Sequence, residues 1–359
     1  MRETPIDPVC GKPVGTPSAH LSAKCQGKTF YFCSKSCCQR FVCHPDRTLK
    51  DYVFDLVIVG GGPAGISAGI YAALTGLDTL FLTKSLGGQA WDSTAIRNYP
   101  GFDLITGPEL VERFQKQLFH SLHLAHQVCE VLEIQKTRGL FHVTTGAGDT
   151  YRSHTLLLAT GMARRRLGIP GEDEFRGRGV QEFHALSARR HAGKEVAVVG
   201  GGNSAAQAAI GLAEQGSRVT LVTRTYRADE YLAKQVAATE DIIVLQNRTP
   251  LRIEGSNRVE VLVVQNLDTG AEEVLPVEAV FVEIGLVPRS DLVRDLVHLN
   301  ERGEVLVDGN CRTGLPGLYA AGDVTNTFGK RILIAAGEGA KAVLAVEQYL
   351  RARHRGESS

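Results

Sequence analysis

Two segments of this chain carry one pattern, and a chain that carries it twice has few ways to fold. Tyr52 to Val59, YVFDLVIV, is an apolar, β-branched run of strand length that feeds directly into Gly60-Gly61-Gly62-Pro63-Ala64-Gly65. After it, ISAGIYAALTG reads as a helix ending at Gly76. Val196 to Gly216, VAVVGGGNSAAQAAIGLAEQG, repeats the pattern with Gly200, Gly202 and Ala205 in the same three roles. The first small residue permits the turn, the second lets a pyrophosphate lie against the backbone, the third lets helix pack on strand, and the helix N-terminus supplies its dipole. Pro63 and Ala64, and Asn203 and Ser204, open the two helices. Two such units predict an α/β chain that holds two dinucleotides.

Between them, alternating strands are expected at Val128 to Ile134 and Phe141 to Thr145, with a turn at Gly146-Ala147-Gly148-Asp149, then LLLATG at Leu156 to Gly161. Near the other end, LYAAGDV sets Gly322 and Asp323 after a short strand and ahead of a helical run from Leu333 onward. GGGPAG, GGQ at Gly87-Gly88-Gln89, NYPG at Asn98 to Gly101, ATG, GGGNSA and AGDV stand in the order and spacing of bacterial thioredoxin reductase, which the chain resembles from Tyr52 to Leu350.

That resemblance implies two Rossmann-like three-layer (ββα) domains in a homodimer. An FAD domain is expected at 52–165 and 290–352, a nicotinamide domain at 166–289, and a frayed tail in RARHRGESS, bounded as 353–359. FAD contacts are implied at Gly60, Gly62, Pro63, Ala64, Gly65, Gly88, Gln89, Asn98, Gly161, Gly322 and Asp323. Arg331, Ile332 and Leu333 resemble the helix entry beside the flavin pyrimidine ring, where backbone amides can stabilise negative charge.

An NAD site usually has an Asp or Glu about 20 residues past the first glycine, to bind the ribose 2′-hydroxyl. Here RVTLV runs instead into Thr223-Arg224-Thr225-Tyr226-Arg227. With no carboxylate and two guanidiniums, a 2′-phosphate is the better-matched ligand, so NADPH is expected over NADH. Gly200, Gly202, Asn203, Ser204, Ala205, Arg224 and Arg227 are the expected contacts. The bland reading of the two arginines is a solvated loop edge.

In one place the chain departs from the family. Thioredoxin reductases carry a C-x-x-C a few residues after a G-R-G-V segment. This chain has Gly177-Arg178-Gly179-Val180, but Phe183-His184-Ala185-Leu186 stand at the dithiol positions. Exchange needs an attacking thiolate and a resolving partner, and neither residue can replace a sulfur. Cys129 and Cys311 are isolated and read as buried small hydrophobes. His184 is the candidate proton donor, against the reading of a replaced residue facing solvent. Hydride transfer from nicotinamide to FAD survives. The expected acceptor is a ferredoxin-like protein, a quinone or a metal ion.

Six of the eight cysteines lie between Cys10 and Cys43, in a stretch that resembles the YHS or TRASH-like metal-binding modules through Asp7-Pro8-Val9-Cys10-Gly11, Phe32-Cys33-Ser34, Cys37, Phe41 and Pro45. The module is expected at residues 1–48. Cys10, Cys33 and Cys37 are the candidate ligands for Zn²⁺ or another thiophilic ion, with a fourth open among Cys25, Cys38, Cys43, His20 and His44. A closed structural site, a metal-delivering module and a disulfide reduced by the flavin are three readings of it. The last would make the chain a disulfide reductase through its N-terminal cysteines, and a redox or metal sensor is the other alternative.

Forty basic against thirty-nine acidic residues give a net charge of +1, which offers no global field for nucleic acid or an anionic membrane. The first residues lack a basic-then-apolar leader pattern and no apolar run reaches membrane-spanning length, so a cytoplasmic protein is expected. Arg164-Arg165-Arg166 reads as a solvated hinge, against a contact with phosphate or an acidic partner, and Trp91 as packing or a ring near the flavin.

Overall fold

The structure, a computed structural model, describes residues 7, 14, 21–25, 28–32, 34, 35, 37, 38, 52–93, 95–120, 124–183 and 188–356. The chain divides into two compact units, Met1–Met162 with Pro288–Ser359, and Ala163–Val287. In the N-terminal stretch, Ser22–Cys25 (β1) and Lys28–Tyr31 (β2) pair antiparallel, and Phe32 and Cys37 are buried beside them.

Val53–Val59 (β3) opens the body. Its burial turns from alternating to continuous along the strand, as a strand covered on both faces requires. Pro63–Leu74 (α1) follows with proline in its first turn, then Thr79–Thr83 (β4) and Gly107–Leu118 (α2). A reciprocal capping box of Thr106 and Glu109 starts α2. Leu124–Val128 (β5), Val131–Thr137 (β6), Leu140–Thr145 (β7) and Thr150–Leu158 (β8) complete the segment. The strand expected at 128–134 is therefore two. Cys129 N–H donates to Thr83 O at 3.0 Å and Gly146 N–H to Glu130 O at 2.8 Å, so Cys129-Glu130 is where the chain turns from the parallel sheet into the meander.

Met162–Arg164 (β9) leads into the second unit. It contains Val180–Gln181 (β10), Glu195–Val199 (β11), Asn203–Ala213 (α3), Arg218–Val222 (β12), Glu230–Ala238 (α4), Ile242–Leu245 (β13), Arg248–Gly255 (β14), Val259–Asn266 (β15), Glu272–Pro276 (β16) and Ala279–Val282 (β17). A parallel sheet in the order β10-β17-β11-β12-β13 stands with an antiparallel β14-β15-β16 meander.

Leu286–Pro288 (β18) leads out, and Leu318–Ala320 (β19) and Ile332–His354 (α5) return to the first unit. There β8 pairs with β3 along one edge and divides its other edge between two partners. Thr150 to Ser153 pair antiparallel with β7, and Leu156 to Leu158 pair parallel with β19. The first unit thus repeats the second: parallel strands β5-β4-β3-β8-β19 plus a β6-β7-β8 meander. This is the α/β architecture of two Rossmann-like domains read from the fingerprints. Helix α5 packs on α1 so closely that a Cβ at Gly339 would stand 2.0 Å from Ala64 O. It also runs through residues 351–354, part of the expected tail, with an Arg351–Glu347 pair at 2.6 Å. No helix among the described residues is long and apolar enough to cross a membrane.

Candidate functional site

The two fingerprints fold alike, and their glycines divide into two kinds. At Gly60, φ +118°, a Cβ would stand 2.3 Å from Ala159 O, and at Gly65 it would stand 1.8 Å from Gly60 O. At Gly200, φ +153°, it would stand 2.2 Å from Glu283 O. These positions are glycine because the protein itself fills the space. Gly62 and Gly202 differ: a Cβ on either meets nothing within 4 Å, and both adopt extended backbone with φ −76° and −103°. Each is the N-cap of its helix, without a side-chain cap for the first amides. Open space over uncapped helix amides fits a dinucleotide pyrophosphate in each unit.

Around the first cradle, Gly88 (φ +53°) approaches so that its Cβ would stand 3.0 Å from Gly62 Cα, and Gly87 N–H donates to Gly61 O at 2.7 Å. Gln89 donates from Nε2 to Met162 O at 2.9 Å, and Gly161 (φ +66°) faces open space. Gly322 (φ +80°) would bring a Cβ within 2.9 Å of Ala64 Cβ, which sets the AGDV turn against the start of α1. Arg331 is the N-cap of α5, with Ile332 and the exposed Leu333 in its first turn. Asn98 is exposed in a loop closed by the reciprocal Ile96–Ile105 backbone pair, and no described contact joins it to the cradle. Trp91 is 46 % exposed, so it is not a packed core ring.

Sequence reasoning missed Glu338. This buried acid of α5 accepts the Gly322 amide at 2.8 Å on Oε2, while its Oε1 is buried with no hydrogen-bond partner among the described residues. Its one legible sign is an acid between Gly337 and Gly339 in a run of small residues. Burial pushes the Asp323 carboxyl above its ordinary range; Glu338 adds to this, and Lys330 and Arg331 oppose it.

In the second unit, Arg224 and Arg227 are exposed past the end of β12, and Arg227 N–H donates to Gly201 O at 2.6 Å. Arg224 reaches Thr249 Oγ1 from Nε at 3.1 Å and Nη2 at 2.9 Å. Neither arginine is in an ion pair among the described residues. Asn203 is held by Asp229, its Nδ2 donating at 2.7 Å and its Oδ1 accepting the Asp229 amide at 2.8 Å.

Arg164 is not the solvated hinge residue expected. Half-buried, it pairs with Glu182 at 2.7 Å and Glu283 at 3.2 Å, and Glu283 Oε1 also accepts the Phe183 amide at 3.0 Å. Residues 119 apart in sequence left no pattern to read. The half-buried Phe183 ring packs where a Cβ on Gly211 would stand 2.6 Å from its Cζ, and it meets Phe281 edge-on at 6.4 Å. The candidate proton donor His184 lies outside the described residues, as do Ala185 and Leu186.

Of the body cysteines, burial pushes Cys129 up to about 11 and Cys311 up to about 12, which leaves neither a ready thiolate. Cys10 and Cys33 lie outside the described residues, and Cys37 is buried beside Phe32. Among the described residues no group of three potential ligands could hold a metal.

Residues 54–348 match the model of the pyridine nucleotide-disulphide oxidoreductase family, and residues 6–52 match the YHS domain. The chain is 36% identical over 308 residues to the F component of the alkyl hydroperoxide reductase of Pseudomonas putida, covering 83% of this chain and 58% of that protein. It is 35% identical over 304 residues to a Bacillus subtilis protein named NADH dehydrogenase, with the same coverage. The chain thus spans less than two thirds of these relatives. Among solved structures it is similar to the thioredoxin reductase of Lactococcus lactis, with a TM-score of 0.72 at 31% identity over 83% of this chain and 99% of that one. The thioredoxin reductase of T. acidophilum gives 0.68 at 34% over 83% and 98%.

Proposed function

The chain belongs to the pyridine nucleotide-disulphide oxidoreductase family, whose members are NAD(P)H-dependent flavin oxidoreductases, and on that premise we propose that it oxidises NADPH through FAD and delivers the electrons to an acceptor without using a dithiol of its own body. The reading assigns FAD to 52–165 with 290–352 and the nicotinamide to 166–289. Bound FAD would supply a two-electron acceptor for hydride and a donor of one or two electrons onward.

The chain's own residues hold and orient. Gly62 and Gly202 leave room for the two pyrophosphates, and the uncapped amides of α1 and α3 offer them donors. Gly322, fixed by Glu338, and Asp323 stand beside the first cradle. Arg224 and Arg227, in no ion pair among the described residues, offer their guanidiniums to a 2′-phosphate, which supports NADPH over NADH.

One observation carries the choice of acceptor. Phe183, at the first dithiol position, packs its ring against α3, and the remaining body cysteines, Cys311 buried and Cys129 half-buried, are isolated in sequence. A ferredoxin-like protein, a quinone or a metal ion would then take electrons directly. The disulphide in the family's name favours a second reading, in which the N-terminal cysteines relay electrons to a disulfide. The N-terminal module, through Cys10, Cys33 and Cys37, would hold Zn²⁺ or another thiophilic ion, and metal analysis with a chelating dye checks this. The cysteine usage of that module supports a reducing compartment, the cytoplasm, and likeness to thioredoxin reductases supports a homodimer.

Anaerobic stopped-flow tests the proposal. The NADPH-reduced protein is mixed with ferredoxin, quinone, thioredoxin or a metal ion, before and after thiol alkylation. Fast reoxidation by ferredoxin, quinone or metal ion that survives alkylation is expected. Reoxidation by thioredoxin alone, abolished by alkylation, would overturn the direct route in favour of the N-terminal cysteines.

A further inference from the structure

We infer that Thr249 is a specificity-determining positioning residue, whose hydroxyl holds the Arg224 guanidinium ready for the 2′-phosphate of NADPH. The inference rests on the NADPH reading above and deepens it.

Arg224 is the second residue past β12, beyond the strand that follows the α3 fingerprint. Backbone pairing carries Thr249 to the same place. Thr223 N–H donates to Leu245 O at 3.0 Å and Arg248 N–H to Thr223 O at 3.1 Å, so β14 begins beside the residue that precedes Arg224. Thr249 Oγ1 then accepts from both Nε and Nη2 of Arg224. A guanidinium carries five N–H donors, so two bonds fix its plane and leave three for a ligand.

The acceptor's chemistry sets this arginine apart from most others of its unit, although Arg178, on Glu174 O, and Arg189, on Gln215 Oε1, likewise donate to neutral oxygens. Arg164, Arg166, Arg176, Arg218, Arg248 and Arg252 of the same unit all face carboxylates. A carboxylate at Thr249 would neutralise Arg224 and compete with phosphate for its donors. A neutral hydroxyl removes rotamer freedom from the long side chain and leaves its full charge. That combination suits capture of a doubly charged group from solvent, and the plain 2′-hydroxyl of NADH, which carries no charge, gains far less from it. Arg227, whose amide is bound to Gly201 O, stands as the second cation.

The test uses the full-length holoprotein with ferricyanide as acceptor, and reads kcat and KM for NADPH and for NADH in wild type, Thr249→Val and Thr249→Ser. Valine keeps the β-branched shape that the strand favours and removes the acceptor. Thr249→Val is expected to raise KM for NADPH about fivefold, the scale of one lost hydrogen bond, with KM for NADH and both kcat values unchanged. Thr249→Ser should restore the wild-type KM. In an Arg224→Gln background, Thr249→Val should add nothing further. An equal rise in both KM values, or an unchanged KM for NADPH, would overturn the role of Thr249 while leaving the NADPH reading standing. A wild-type preference for NADH would overturn that reading itself, and the inference with it, before any variant is compared.

Discussion

Gly322 and Glu338 are joined by a 2.8 Å hydrogen bond from the Gly322 amide to Glu338 Oε2, which ties the AGDV turn to the interior of α5. The turn lies against the start of α1, so the bond shapes one wall of the first cradle. Glu338→Ala would leave a buried amide without its acceptor, at about 1–3 kcal/mol. Loss of the unpartnered Oε1 offsets part of this. The holoprotein's thermal midpoint should fall by about 5 °C, with weaker FAD retention. Glu338→Gln keeps an acceptor and should remain near wild type. Equal drops in both variants would show that charge, and not the acceptor, matters.

The open glycines separate ligand binding from folding. Gly62→Ala places a methyl in space the protein does not use, on backbone any residue adopts. Its apoprotein should keep the wild-type thermal midpoint and circular dichroism while FAD affinity falls by about tenfold or more. Gly202→Ala should do the same to NADPH alone. Gly60→Ala, with φ +118° and Ala159 O at 2.3 Å, should prevent folding. An unchanged FAD affinity in Gly62→Ala would place the pyrophosphate elsewhere.

Much of this was legible in the sequence, for a local reason. The glycines of GGGPAG and GGGNSA act within one strand-turn-helix, so spacing alone revealed their roles. Arg164 and Glu283 meet only because β9 and β17 end near one another in the fold, and Arg224 finds Thr249 across a strand and a helix of intervening chain. Glu338 sits in a helix whose small residues announce close packing, but its partner Gly322 lies 16 residues earlier, off any helical period.

Burial pushes the body thiols far above the ordinary range, Cys129 to about 11. At pH 8 its thiolate fraction is roughly two hundredfold below that of an unperturbed cysteine. Iodoacetamide should therefore label Cys129 and Cys311 of the native protein slower than a peptide thiol by at least that factor, as peptide mapping by mass spectrometry would read. Rapid labelling of either would contradict their burial. Slow labelling means that alkylation of the native protein reports on the N-terminal thiols alone.

Asp323 is an acid whose carboxyl is raised first by burial, then further by Glu338, against Lys330 and Arg331. The folded chain binds this proton more tightly than the unfolded chain, so stability falls as pH rises from the ordinary carboxylate value through the folded one. Asp323→Asn removes that loss. The variant apoprotein should melt above wild type at pH 7, with the difference closing below about pH 4. A lower midpoint at pH 7 would mean that the carboxylate gains more from Lys330 and Arg331 than burial costs it.

Phe183 and Gly211 fit one another as ring and hollow, with a Cβ on Gly211 only 2.6 Å from Phe183 Cζ. Gly211→Ala gains helix propensity inside α3, about 1 kcal/mol, but overpacks the ring, which costs about 1–3 kcal/mol. The single variant should therefore be neutral or destabilised. Phe183→Ala empties the hollow and loses the edge contact with Phe281, for about 2–3 kcal/mol given a half-buried ring. Together the two changes should restore part of the loss, because the new methyl meets empty space and propensity then acts unopposed. Urea unfolding of the four proteins gives the coupling, expected at about 1–2 kcal/mol. Additive effects would mean that the ring turns aside at no cost, and that Phe183 is not held on α3 at the position where the resemblance to thioredoxin reductases implies a reactive sulfur.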